Sequence, residues 1–291
     1  MFRIELEDLS FSYQDNGVSY DVLNAVNLSI KDGEFVCIVG HSGCGKTTLL
    51  NILAGLLSPT SGSAKIGGKL VEGPGIDRAI VFQHYSLFPW LTAVKNVMFG
   101  IGQVKKSLSK QELHELAIHQ LERVGMAEHP NKYPFQLSGG MQQRVAIARA
   151  LGIEASTLLL DEPFGALDAI TRETLQSWLV DLWSDDSKKM TVVFVTHDIE
   201  EAILLADRII VMRPHHIEAE FLVNLERPRT KDVLYANKDF HELKKRILDL
   251  IRAEGSGLEL DSGSGSGSGS DANTSSGSAG AALAEGAEDW R

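Results

Sequence analysis

The sequence predicts an α/β protein organised around a parallel sheet. Three observations carry that expectation: a glycine-rich loop set between an apolar strand and a helix, strand and helix segments that alternate after it, and a strand-rich opening before it. The opening, residues 1 to about 80, has period-2 patterns in Phe2-Ile4-Leu6 and Val26-Leu28-Ile30 and turn signals at Asn16-Gly17, Asp32-Gly33 and Gly67-Gly68. Within it, Phe35-Val36-Cys37-Ile38-Val39 reads as a buried strand and residues 47–57 as a helix stopped near Ser58-Pro59.

Residues 108–124 carry Leu113, Leu116, Ala117, Gln120, Leu121 and Val124 at helical spacing, and Ser109 with Glu112 makes a capping box in front of them. Residues 141–152 and 167–183 read as helices, 157–160 and 191–196 as strands, 199–206 as a short helix and 208–212 as a strand. That order implies parallel strands covered on both faces. Residues 239–252 form an amphipathic helix with Phe240, Leu243, Ile247, Leu250 and Ile251 on one side. Such a stripe serves a partner or lipid headgroups, or docks on its own domain, and docking is the expectation. Beyond residue 254, Ser-Gly repeats and an Ala/Ser/Gly stretch lack the apolar content to order themselves and predict a disordered tail.

At 291 residues and 43% hydrophobic content the chain can bury a full core. No apolar run approaches the length of a membrane span, and the N-terminus lacks a signal-peptide block, so a non-exported, non-spanning protein is expected. Cys37 and Cys44 flank the glycine loop, where a disulfide would strain it, and a reducing cytosol is the better reading. Net charge is −11, of which residues 256–291 contribute six acids against Arg291, leaving about −6 for the rest. That sign argues against nucleic acid as a partner.

The loop Gly40-His41-Ser42-Gly43-Cys44-Gly45-Lys46-Thr47 fits GxxxxGK[ST], in which backbone N–H groups wrap phosphate oxygens, the lysine neutralises β/γ charge and the hydroxyl serves Mg2+. With Thr48, these residues are the expected nucleotide-binding set. Cys44 stands beside Lys46 and a helix start, so a lowered thiol pKa is expected. Asp161 and Glu162 end the apolar strand Leu158-Leu159-Leu160, where neighbouring carboxylates can divide metal binding and proton abstraction. Leu137-Ser138-Gly139-Gly140-Met141-Gln142-Gln143-Arg144 lies between the two.

These three motifs, over residues 1 to about 225, resemble the nucleotide-binding subunit of ATP-binding cassette transporters. The resemblance implies a P-loop NTPase (RecA-like) core with an antiparallel β subdomain and an α-helical signature subdomain at about 84–150; the amphipathic pattern beyond it makes 226–255 a C-terminal helical extension. It implies ATP and Mg2+ as cofactors and a homodimer that sandwiches two nucleotides. In that arrangement Ser138, Gly139 and Gly140 reach the γ-phosphate held by the opposite copy, a role suited to a helix N-terminus. Met141 stands where glutamine is commoner.

The resemblance also implies that Asp161 binds magnesium, that Glu162 is the catalytic base, and that Gln83 senses magnesium and the membrane partner. His197 is then the switch histidine, Asp168 the loop aspartate at the dimer seam, and Tyr13 the aromatic that stacks on adenine; taken alone, Tyr13 reads as a half-buried sheet residue. One cassette, with only about 90 residues between Lys46 and Ser138, differs from tandem translation factors and coiled-coil repair relatives. Separate permease subunits, an extracytoplasmic solute-binding protein and a position on the cytoplasmic membrane face are expected. Residues 82–92, Phe-Gln-His-Tyr-Ser-Leu-Phe-Pro-Trp-Leu-Thr, resemble importers for nitrate, sulfonates and taurine, an exporter being the alternative. In such importers Phe88, Pro89 and Trp90 grip the permease; internal packing is the other reading.

Overall fold

A computed structural model describes residues 2–185 and 190–252. β1 (Phe2–Asp15) and β2 (Val18–Lys31) pair as a long antiparallel hairpin, and the turn places Asn16 and Gly17 at positive φ as its type demands. A bulge between Leu6 and Leu9, with Asp8 at φ 47°, keeps Ile4, Leu6, Leu9 and Phe11 on the inner face although their spacing changes from even to odd. The chain then forms β3 (Phe35–Val39) and α1 (Lys46–Ala54) before returning to pair with β1 through β4 (Ser61–Ile66), which carries the short β5 (Lys69–Leu70). The first sheet therefore runs β2-β1-β4-β5.

The second sheet runs β10-β9-β3-β8-β7-β6. It contains β3 with β6 (Arg78–Val81), β7 (Thr157–Asp161), β8 (Thr191–Val195) and β9 (Arg208–Arg213), all parallel, and β10 (His216–Leu222) as an antiparallel edge. β3, β7 and β8 are buried along their whole length, as central parallel strands covered on both faces must be. α1 lies between the two sheets and buries Leu49, Leu50, Ile52 and Leu53 completely.

Between β6 and β7 the chain forms α2 (Ala93–Val104), α3 (Lys110–Arg123) and α4 (Gly139–Gly152), which pack on one another. α3 starts at the expected capping box, with both reciprocal Ser109–Glu112 bonds present. α2 has no counterpart in the sequence reading. α5 (Ala169–Asp185) and α6 (Ile199–Leu205) follow the strands β7 and β8, and α7 (Lys231–Tyr235) and α8 (Lys238–Arg252) follow β10. Helix α1 stops three residues short of the expected end: Gly55 adopts φ 77° and its N–H closes on Asn51 O and Ile52 O, a glycine cap that ends the helix before Ser58-Pro59 is reached.

α8 packs on α6 and β9 and buries Phe240 and Ile247. The Ser/Gly-rich segment 256–291 lies outside the described residues. Because Ile247 is fully buried, Ile247→Ala should cost about 2–5 kcal/mol of stability in urea unfolding. A loss below about 0.5 kcal/mol, the scale of an unremarkable surface substitution, would show that α8 does not unfold with the rest.

Candidate functional site

Parallel pairing sets the carboxyl ends of β3, β6, β7 and β8 on one edge: Ile38 and Asp161 are both register partners of Val195, and Leu160 partners Val81. The glycine loop leaves β3 at that edge. Gly45 takes φ 103°, and a Cβ there would meet Leu23 Cδ2 at 2.9 Å, so the first sheet presses on the loop where only glycine fits. Lys46 is only 5% exposed, and its Nζ donates to Gly40 O at 2.9 Å and His41 O at 2.8 Å, with Cys44 Sγ at 3.8 Å. Among the described residues no carboxylate forms an ion pair with it.

α1 begins at Gly45 with no side chain capping its first amides. α2, α3, α4, α6 and α7 are capped by Thr92, Ser109, Ser138, Asp198 and Thr230. An uncapped helix start next to a buried ammonium without a counter-ion is built for an external anion.

Thr47 Oγ1 donates to Asp161 Oδ1 at 3.1 Å across 114 residues of sequence. Burial pushes the Asp161 carboxyl up; the Thr47 bond and Lys46 pull it down and the Glu162 charge pushes it further up. Glu162 has φ 43° and its N–H donates to Val195 O, which ties the end of β7 to β8. Its Oε2 meets His197 Nδ1 at 3.1 Å and accepts from Gln83 Nε2 at 3.4 Å. Six of the residues singled out in the sequence, Lys46, Thr47, Gln83, Asp161, Glu162 and His197, thus converge on one sheet edge. They supply a phosphate cradle, oxygen donors for a hard cation and a carboxylate beside a histidine.

Ser138 instead caps α4, accepting from Met141 N, and Gly139 and Gly140 open that helix. Among the described residues no hydrogen bond joins these three to the glycine loop. Asp168 accepts from Thr171 N at 3.0 Å, which lowers its carboxyl pKa. Tyr13 is 45% exposed, edge-on to Phe11 at 4.8 Å, and directly opposite Tyr20 across the hairpin. Ser42 and Gly43 are exposed and Thr48 is buried. The side chain of His41 points to the end of α8, its Nε2 lying 2.8 Å from Ile251 O.

One expectation is overturned. The Cys44 thiol is buried, and burial pushes its pKa up against the opposing pull of Lys46, where a lowered value was expected. Sequence proximity to a lysine and a helix start does not lower a thiol pKa when water is excluded.

The chain matches the family model of the ABC transporter over residues 23–165. It is 45% identical over 251 residues to the bicarbonate transport ATP-binding protein CmpD of Synechocystis sp., covering 85% of this chain and 88% of that one. The chain belongs to the ABC transporter family. It is 46% identical to the nitrate import ATP-binding protein NrtD of Synechococcus elongatus, covering 80% and 85% of the two chains. Its fold matches a dimeric post-hydrolysis state of the ATP-binding cassette MJ0796 bound to ADP and Pi, with TM-score 0.69 and 36% identity over 77% of this chain and 100% of that one.

In this ABC ATPase, sequence reasoning missed the residues that hold the segment after Gln83. Asn96, fully buried on α2, accepts from Phe88 N and donates to Phe88 O, Leu91 O and Thr92 O. Arg149 on α4 donates to Ser86 O and Tyr85 O, and burial pushes its guanidinium down to about 10. Tyr85 Oη lies 3.1 Å from where a Cβ on Gly139 would stand. Only the polar Asn96 among Val94, Val97 and Met98 offered a signal. Trp90, 64% exposed, tilts against Phe88 at 5.5 Å.

With its thiol buried and its pKa raised, native Cys44 should react with maleimide at pH 7 at least about tenfold more slowly than after unfolding, measured by peptide mass spectrometry. Equal rates in the two states would show the thiolate to be accessible.

Proposed function

We propose that this ABC ATPase energises import of a small inorganic anion, working as a Mg2+-dependent homodimer bound to separate membrane permease subunits that receive solute from an extracytoplasmic binding protein. The observation that carries the nucleotide chemistry is the buried Lys46, which forms no ion pair among the described residues, set beside an uncapped α1. Among the described residues no helix is long and apolar enough to cross a membrane, which fits a requirement for permease partners. The names of the bicarbonate and nitrate relatives support the solute class and the direction.

In this reading the loop amides from Gly40 to Thr48 and the Lys46 ammonium bind and orient the phosphates, and Tyr13 stacks on the adenine. The Thr47 hydroxyl and one Asp161 oxygen fit Mg2+, which needs few protein ligands because it retains water and takes phosphate oxygens. Bound there, the ion would neutralise charge on the transferring phosphoryl group. Glu162 orients water and accepts its proton, while His197 and Gln83 hold that carboxylate in place and respond to the γ-phosphate. Ser138, Gly139 and Gly140 of one copy complete the site of the other, and Asp168 lies at the seam between them. The exposed Trp90 face is where a permease would engage.

Glu162→Gln should retain Mg-ATP binding, accumulate as an ATP-bound dimer and lose at least about 100-fold in turnover. Turnover within threefold of the unaltered protein would remove Glu162 from the role of base. Cells lacking this gene should lose uptake of labelled bicarbonate or nitrate, with recovery on re-expression. Unchanged uptake of both anions would refute the solute assignment.

A further inference from the structure

His41 occupies the second position of the phosphate loop, and its two ends face in different directions. Its backbone carbonyl accepts from Lys46 Nζ at 2.8 Å, and its Nε2 lies 2.8 Å from Ile251 O in the last turn of α8. A carbonyl oxygen only accepts, so Nε2 carries the hydrogen in this contact. Next to it, Arg213 Nη2 at the end of β9 donates to Leu250 O at 2.6 Å. The final carbonyls of a helix have no partner within the helix, so both bonds also cap α8. The preceding loop residue, Gly40, lies so close to β9 that a Cβ would stand 2.3 Å from Met212 O. Loop, β9 and the end of α8 therefore form one contiguous contact.

We propose that His41 is a positioning residue through which α8 braces the phosphate loop, the imidazole fixing the loop to the helix while its carbonyl holds the lysine that meets the phosphates. The proposal rests on the nucleotide site described above. Brace and nucleotide are thermodynamically linked: whatever loosens the end of α8 weakens ATP binding, and ATP binding in turn steadies the end of α8. The contact spans 210 residues of sequence and joins the loop to a helix outside the segment matched by the family model.

The test uses the full chain, Mg-ATP titrations and steady-state ATPase kinetics. His41→Ala should raise Kd and KM for Mg-ATP about fivefold to tenfold, the loss of one hydrogen bond, with kcat within about twofold. His41→Gln, which keeps an amide donor at similar reach, should restore most of the affinity. Arg213→Ala removes the neighbouring bond to Leu250 O and leaves the His41 imidazole in place, and should raise Kd in the same direction. Hydrogen exchange of residues 247–251 should slow when Mg-ATP is added and slow less in His41→Ala.

A weakened His41→Ala beside a normal Arg213→Ala and ATP-independent exchange of α8 would mean that the imidazole contacts nucleotide directly, and would overturn the brace. Normal ATP binding by His41→Ala would overturn it as well. Absence of Mg-ATP binding by the unaltered protein would sink the nucleotide site itself, an outcome distinct from either.

Discussion

The structure is organised around a buried ammonium that, among the described residues, forms no ion pair with a carboxylate. Lys46 satisfies its donors on the carbonyls of Gly40 and His41, so its charge is solvated locally, and Asp161 feels it only at a distance. A directly paired lysine would have been a poorer phosphate site, because an incoming phosphate would have had to displace a carboxylate. Keeping Lys46 in this state requires a loop folded back on itself at positive φ, at Gly43 and Gly45, and a helix that starts without a cap. It also requires a sheet that packs against the loop from above, as Leu23 does against Gly45.

The second constraint is topological. Glu162, Gln83 and His197 come from three strand ends, and a parallel sheet brings strand ends together at one edge without any local sequence relation between them. Glu162 is the point of convergence, with both other side chains directed at one of its oxygens. Its backbone sits at φ 43°, an uncommon conformation for a glutamate, and is held there by the bond to Val195 O. The backbone strain thus falls on the residue whose side-chain direction matters most. His197 remains largely exposed beside it, which leaves one side of the cluster open to whatever completes it.

What could be read from sequence was what is locally encoded. The glycine loop, the capping box at Ser109 and Glu112, and the largely apolar, fully buried strands β3, β7 and β8 carry their signals within a few residues. Helix α2 escaped because Gly100 and Gly102 depress its helical propensity. Gly100 is there for tertiary reasons, since a Cβ would stand 2.9 Å from Arg149 O on α4. The Cys44 expectation failed because sequence gives a thiol's charged neighbours and says nothing of its burial, and burial dominates here. The partner of His41 was out of reach of any local reading, being the backbone carbonyl of a residue in the last helix.

The segment after Gln83 bears on how a nucleotide site can communicate with a distant surface. Gln83 itself is exposed and touches Glu162, yet Tyr85 and Ser86 are fastened to α4 by Arg149, and residues 88–92 are fastened to α2 by Asn96. Tyr85 and Ser86 both adopt positive φ, so the chain between the two anchors turns sharply where it leaves the site. The backbone groups between Gln83 and these helices are thus committed to side-chain donors and acceptors on α2 and α4. α4 begins at the Ser138-Gly139-Gly140 motif, and Tyr85 abuts Gly139. The same few bonds thus join the nucleotide edge to the signature helix on one side and to the exposed Trp90 surface on the other.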